Sequence, residues 1–282
     1  MRLKFITSKK TALAASALIG ALLLSACVST PKNINKNKDA SSVTHKKINF
    51  SPRAQNQYLS QGQAFKRSAR VANVNYTLSF ALTGAESFSA SSTINFDLND
   101  NSKALTIDLS KANITSLVIN GETVTKEQLN KSYNNWFITL PAEQLKNGAN
   151  SVTVNFTRKH STNGEGLHRF KDPVDGKVYL YSHFEPAAAQ QMFALFDQPD
   201  LKATFKLTVS APKNWTVFSA TKENNVTEQG DVNVWHFPKS QILSPYNFSM
   251  HAGPYKMWQD NSGKYPLRLF ARQSVANQIT PE

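Results

Sequence analysis

From Asn73 onward, apolar residues recur at every second position. Val74, Tyr76, Leu78, Phe80 and Leu82 alternate with mostly polar neighbours, and Phe88, Ala90, Ser92, Ile94, Phe96 and Leu98 resume the pattern after a turn at Gly84. Leu105-Ile107-Leu109, Val152-Val154-Phe156 and Phe205-Leu207-Val209 repeat it. A period of two marks strands with one buried and one wetter face. Asn99-Asp100-Asn101, Asn120-Gly121, Lys146-Asn147-Gly148, Asp175-Gly176 and Gln229-Gly230-Asp231 punctuate these runs as turns. Asn120-Gly121 in particular reads as a two-residue hairpin loop. Roughly a dozen such runs predict an all-β domain over residues 73–282, without internal repeat or compositional break.

Helix is scarce in this pattern. Thr125 to Asn130 predicts one short helix, with Thr125 as cap and Gln128 as its capping-box partner. Pro186 to Phe196 predicts a second, because proline suits a first helical turn and the Ala-rich stretch behind it favours helix. Pro199 closes that segment before the next strand.

Upstream of residue 73 the pattern changes twice. Arg2, Lys4, Lys9 and Lys10 precede an almost unbroken apolar run from Thr11 to Leu24, too short to span a bilayer and proportioned like a signal-peptide core. It ends in Leu24-Ser25-Ala26-Cys27, which resembles the lipobox of bacterial lipoproteins. That resemblance implies removal of residues 1–26 and lipidation of Cys27, and Val28 behind the cysteine points to an outer-membrane anchor facing the periplasm. An ordinary signal peptide with Cys27 incidental is the alternative. Residues 27–72 are rich in Asn, Lys, Ser and Gln without apolar alternation, so they are read as a solvated, disordered tether.

This partition changes the meaning of the net charge of +13. The signal carries four of those charges, the tether nine Lys/Arg against Asp39 alone, and the remainder from Asn73 only +1. A basic tether beside a lipid anchor suits an anionic membrane surface. The near-neutral domain gives no support to nucleic acid as a partner. With one cysteine in the whole chain, neither an internal disulfide nor a multi-thiolate zinc site can be built.

The motifs of common catalytic sites are missing. Zinc hydrolysis through H-E-x-x-H needs two histidines one helical turn apart with Glu as base, and none of the six histidines is followed by Glu. His160 and His168, eight residues apart, are read as surface or structural residues. No G-x-S-x-G elbow or glycine-rich phosphate loop occurs. Asp97, Asp100 and Asp108 are expected at strand ends and turns, capping or solvated, and Arg158, Lys159, Arg169 and Lys171 as a solvated basic cluster.

One segment stands apart, Tyr179-Leu180-Tyr181-Ser182-His183-Phe184-Glu185-Pro186, running through Ala187-Ala188-Ala189-Gln190-Gln191-Met192-Phe193 to Phe196-Asp197-Gln198-Pro199. Taken by itself, Glu185 has the plain role of a carboxylate at the positive end of a helix, worth about 0.3–1 kcal/mol, with Phe193 and Phe196 as core residues. The segment also resembles the signature in the N-terminal domain of the aminopeptidase N family of zinc metallopeptidases, which reads Gln-x-Glu, then Ala-Arg and Phe-Pro, then Asp-x-Pro. Gly166-Leu167-His168-Arg169-Phe170, Ala252-Gly253-Pro254-Tyr255 and Pro266-Leu267-Arg268-Leu269-Phe270 resemble flanking family motifs in the same order. His183, Gln190 and Ala194 depart from the Gln, Arg and Pro of the family pattern.

The resemblance implies a saddle-shaped β-sandwich that covers a catalytic zinc domain. It implies that Glu185 binds the free α-ammonium of a peptide substrate and that His183 lines the pocket for the first side chain. The family's zinc ligands lie in a following domain, so no cofactor and no catalytic residue is expected within these residues. The expectation is therefore the N-terminal substrate-binding domain of a truncated or split aminopeptidase, inactive alone and paired with a separately encoded zinc domain. A cell-envelope scaffolding lipoprotein that uses the saddle surface is the alternative.

Overall fold

The computed structural model describes residues 52–279. The signal segment, Cys27 and the tether as far as residue 51 lie outside the described residues. The chain opens with helix α1 (Gln61–Ser68) and strands β1 (Val71–Ala81), β2 (Ser87–Leu98), β3 (Leu105–Asp108), β4 (Asn113–Ile119) and β5 (Glu122–Thr123). Helix α2 (Lys126–Ser132) leads to β6 (Phe137–Leu140), β7 (Gly148–Lys159), β8 (Gly166–Lys171) and β9 (Val178–His183). The remainder is β10 (Thr204–Pro212), β11 (Thr216–Ser219), β12 (Asn225–Gln229), β13 (Val232–Phe237), β14 (Met250–Gly253), β15 (Lys256–Asp260) and β16 (Leu267–Ala271).

The expected all-β sandwich is what forms. Eight strands make one sheet in the order β12-β13-β10-β1-β2-β7-β4-β5, and β11-β14-β9-β8 make a second. Within the large sheet β1 and β10 run parallel, with Tyr76 opposite Phe205 and Phe80 opposite Val209. The alternation read from the sequence fixes the buried face: Tyr76, Leu78, Phe80, Ile94, Val154, Phe156 and Leu207 are each at most 2% exposed. They pack in one apolar cluster with β3, β6, the second sheet and the segment around Phe193. Asn120 (φ 52°) and Gly121 (φ 91°) form the anticipated hairpin loop between Ile119 and Glu122, both in the left-handed region that such tight turns demand. Helix α2 carries the anticipated capping box: Thr125 Oγ1 accepts from Gln128 N (3.3 Å) and Gln128 Oε1 from Thr125 N (2.9 Å).

Three expectations fail. Pro186–Phe196 is not an α-helix. Its backbone turns once (Ala188 N donates to Phe184 O, 2.8 Å), makes a single 3₁₀ turn at Ala189–Gln191, and then runs irregularly. The physical reason is burial on every side: from Ala188 to Gln198 only Gln191 is more than marginally exposed. An amphipathic helix offers one apolar stripe, whereas this segment lies inside the core with its polar groups paired individually.

The fold also begins before Asn73, inside the stretch read as tether. Ser60 caps α1 with a complete capping box, and Arg53, Arg67 and Arg70 are structural residues. Arg70 donates to the carbonyls of Asp100 (2.9 Å from Nε), Lys103 (2.6 Å) and Ala104 (3.0 Å). Lacking apolar alternation, this part of the chain is held by guanidinium groups, so four of the charges assigned to a membrane-facing tether, those of Arg53, Lys66, Arg67 and Arg70, belong to the domain.

Buried charge is the third correction. Asp108 is 2% exposed and ion-paired, neither capping nor solvated. Arg158, 8% exposed, donates from Nε to Ser110 O (2.7 Å) and is likewise not a solvated cation.

Candidate functional site

Strand β9, an inner strand of the second sheet, ends at His183, and Phe184 and Glu185 follow directly. Phe184 turns inward against Phe193 and Phe248 (ring centroids 6.0 and 6.4 Å), which leaves Glu185 on the outer side of the chain. The Glu185–Pro186 peptide bond is cis. Glu185 is exposed and lines a cleft of about 310 Å³ together with Glu165, Gln191, Pro186, Ala187 and Pro199. Gln57, Tyr58 and Leu59 also line it. His183 is exposed and pairs with Gly166 across β8 and β9, but it is not among the residues lining this cleft. Cys27 lies outside the described residues.

Glycine is needed at 166. At φ 65° a Cβ there would stand 2.7 Å from Gln191 Cβ, and the close approach it permits brings the start of β8 against the 3₁₀ turn. The same seam sets the second carboxylate: Gln191 Nε2 donates to Glu165 Oε2 (2.7 Å). Four acidic residues therefore line one cleft, Glu165 and Glu185 together with the buried Asp108 and Asp197, and among the described residues lining it none is Lys or Arg. Such a lining favours an organic cation over an anion.

Below the cleft a buried polar network fixes the loop. Arg67 donates to Asp108 Oδ2 (2.7 Å) and to Gln198 Oε1 (3.0 Å), and Asp197 N donates to the same Asp108 oxygen (2.8 Å). Arg53 Nη2 lies 2.6 Å from Asp108 Oδ1. Gln190 takes the place of the family's arginine and is fully engaged: its Oε1 accepts from Ser110 Oγ (2.9 Å) and its Nε2 donates to Gln57 O (3.2 Å). Its backbone N–H donates to Asp197 Oδ2 (3.0 Å). Burial pushes the Asp197 carboxyl up to about 7, the neighbouring charge of Asp108 adding to it.

His160 and His168 are structural. His160 is buried, packs on Phe88 (4.9 Å) and has neither ring nitrogen paired, and burial pushes it down to about 4. His168 Nδ1 accepts from Gly164 N (2.9 Å). Among the described residues no three His, Cys, Asp or Glu side chains could hold a metal ion together. The described residues thus offer no donor set that fits zinc.

Sequence reasoning located Glu185 but missed Glu165, Gln191 and the Arg53–Arg67–Asp108 cluster. Glu165 was within reach, since it directly precedes the Gly166-Leu167-His168-Arg169-Phe170 flank. The arginines carried no signal, because their partners lie far away in sequence: 131 residues separate Arg67 from Gln198.

Fold and site together define an all-β domain that presents a carboxylate-lined cleft beside the end of β9. The family described as Peptidase M1 N-terminal domain matches residues 72–247. Aminopeptidase N of Streptomyces lividans is 33% identical over 228 residues, covering 78% of this chain and 26% of that protein. Aminopeptidase N of Acetobacter pasteurianus is 28% identical over 209 residues (70% and 55%), and aminopeptidase N of Canis lupus familiaris 26% over 215 residues (69% and 22%). With the match spanning most of the sandwich, the chain belongs to the M1, or aminopeptidase N, family, and this sandwich is the family's N-terminal domain. The chain spans 26% of the length of the Streptomyces relative and 14% of that of an Encephalitozoon cuniculi one.

Proposed function

We propose that this domain binds the free N-terminus of a peptide, with Glu185 accepting charge-assisted hydrogen bonds from the α-ammonium. The observation that carries the reading is the placement of Glu185 in a cleft shared with Glu165 and without a lining cation. Hydrolysis of the first peptide bond then falls to a zinc domain carrying H-E-x-x-H, elsewhere in the same polypeptide or separately encoded. The described domain is not catalytic alone. Cys27 anchors the chain by lipid to the outer membrane, facing the periplasm. His183, exposed at the end of β9, meets the peptide from outside the cleft.

Two measurements test this. Titration of the purified chain with a short peptide and its N-acetylated form should give binding of the free amine alone, lost in Glu185→Gln; equal binding of both would overturn the role of Glu185. Incubation with zinc and aminoacyl chromogenic substrates should give no turnover, and turnover abolished by a chelator would overturn the non-catalytic reading.

A scaffolding role has one observation in its favour. Tyr265, Leu267 and Leu269 are 68%, 57% and 41% exposed on and beside the β15–β16 hairpin, the kind of apolar patch that contacts a partner. Pull-down from membranes separates the two: a zinc peptidase supports substrate binding, an unrelated envelope protein the scaffold.

A further inference from the structure

Part of the lining of the Glu185 cleft comes from a stretch of the chain that the family match does not include. That match begins at residue 72, yet Gln57, Tyr58, Leu59 and Ala64 line the cleft. This upstream segment is rigidly held at both ends. Arg53 is ion-paired to Asp108 and lies over the Phe137 ring (4.0 Å), and Arg67 bridges Asp108 and Gln198. Between these points the segment is stitched directly to the Glu185 loop. Gln190 Nε2 donates to Gln57 O (3.2 Å), Gln198 Nε2 to Ala64 O (3.0 Å), and Ser68 Oγ to Asp200 Oδ2 (2.7 Å). None of these bonds uses the side chains of Tyr58 or Leu59. Tyr58 is 69% exposed, and an aromatic side chain left in water on a rigid wall is available to pack against a ligand.

We infer that residues 53–68 are a clasp whose Tyr58 and Leu59 select the first residue of a bound peptide, favouring large apolar side chains over glycine. The inference rests on the reading of Glu185 as the α-ammonium acceptor. In this arrangement the cleft lining has two chemically unlike parts. The carboxylates of Glu185 and Glu165 take the ammonium, and the clasp takes the adjoining side chain. Selectivity then comes from apolar area covered at Tyr58 and Leu59, and recognition of the N-terminus comes from charge.

The experiment uses the full chain in detergent, titrated with Leu-, Phe- and Gly-initiated tripeptides and their N-acetylated forms. In Tyr58→Ala, binding of the Leu and Phe peptides should weaken about five- to tenfold while the Gly peptide changes less than about twofold. Phe65→Ser, exposed on α1 but outside the cleft lining, should leave all three unchanged. The exposure of Tyr58 makes loss of folding an unsuitable explanation, and an unchanged melting temperature checks this. Equal effects of Tyr58→Ala on all three peptides, or none, would overturn the selecting wall while leaving Glu185 in place. If instead Glu185→Gln bound free and acetylated peptides as the parent chain does, or the parent bound no peptide, both readings would fall.

Discussion

Along β2 every second residue is buried, and the intervening Ser89, Ser91, Thr93 and Asn95 face outward without charge. From Ala188 to Gln198 nearly every residue is buried, Gln190, Asp197 and Gln198 included. The sheet meets its backbone hydrogen bonds through neighbouring strands, so its side chains need only be apolar on one side. The loop has no such ladder. Its polar groups are met one at a time by Arg67, Asp108, Ser110 and Gln57, drawn from distant parts of the chain. A region held by repetition tolerates the loss of any one contact better than a region held by unique partners.

Substitutions can break that comparison. Asp108→Ala should have the largest effect, because it leaves two buried guanidinium groups without their carboxylate; a cost of about 3–5 kcal/mol is expected. Ile94→Val, in the sheet core, should cost only about 1 kcal/mol. Urea denaturation of both variants decides the matter, and similar losses would mean that the two regions are held alike.

Asp197 sharpens the comparison through pH. Its carboxyl titrates at about 7 in the folded state against about 4 when unfolded, so the folded state binds more protons between those values. Stability should therefore fall as pH rises from about 4 to about 7. Asp197→Asn, which keeps an acceptor for Gln190 N–H, should lack this decline and exceed the parent at pH 8 by about 2–4 kcal/mol. Urea midpoints at pH 5 and pH 8 give the difference, and parallel behaviour of the two chains would contradict it. His160 works in the opposite sense, its stabilising neutral form being lost as pH falls from about 6.5 to about 4, so comparing variant with parent at each pH is what isolates Asp197. The smallest effect belongs to Thr125→Ala, where loss of an exposed cap should cost about 1 kcal/mol in thermal unfolding and leave the loop untouched.

What could be read in the sequence follows the same division. Strands β1, β2, β7 and β10 announce themselves by alternation, and the Thr125–Gln128 box by its spacing. Both signals are local. Asp108 and Arg67 look like any surface pair, since charged residues are seldom buried and their pairing spans 41 residues. Pro186–Phe196 has the composition of a helix, and only the core around it decides otherwise. Of the site, Glu185 came from a family motif, whereas Gln57, Tyr58 and Leu59 came from a stretch that composition assigns to a tether.

The clasp has a consequence for the order of assembly. Arg53 and Arg67 leave the ribosome before any of their partners, and Gln198 follows Arg67 by 131 residues. Closing a loop of that length is entropically costly until the sheets have formed and brought its ends together. The first part of the described fold to be synthesised thus cannot complete its contacts until Gln198 has followed. Until they are complete, Asp108 is without its full set of counter-charges and the cleft lacks part of its lining.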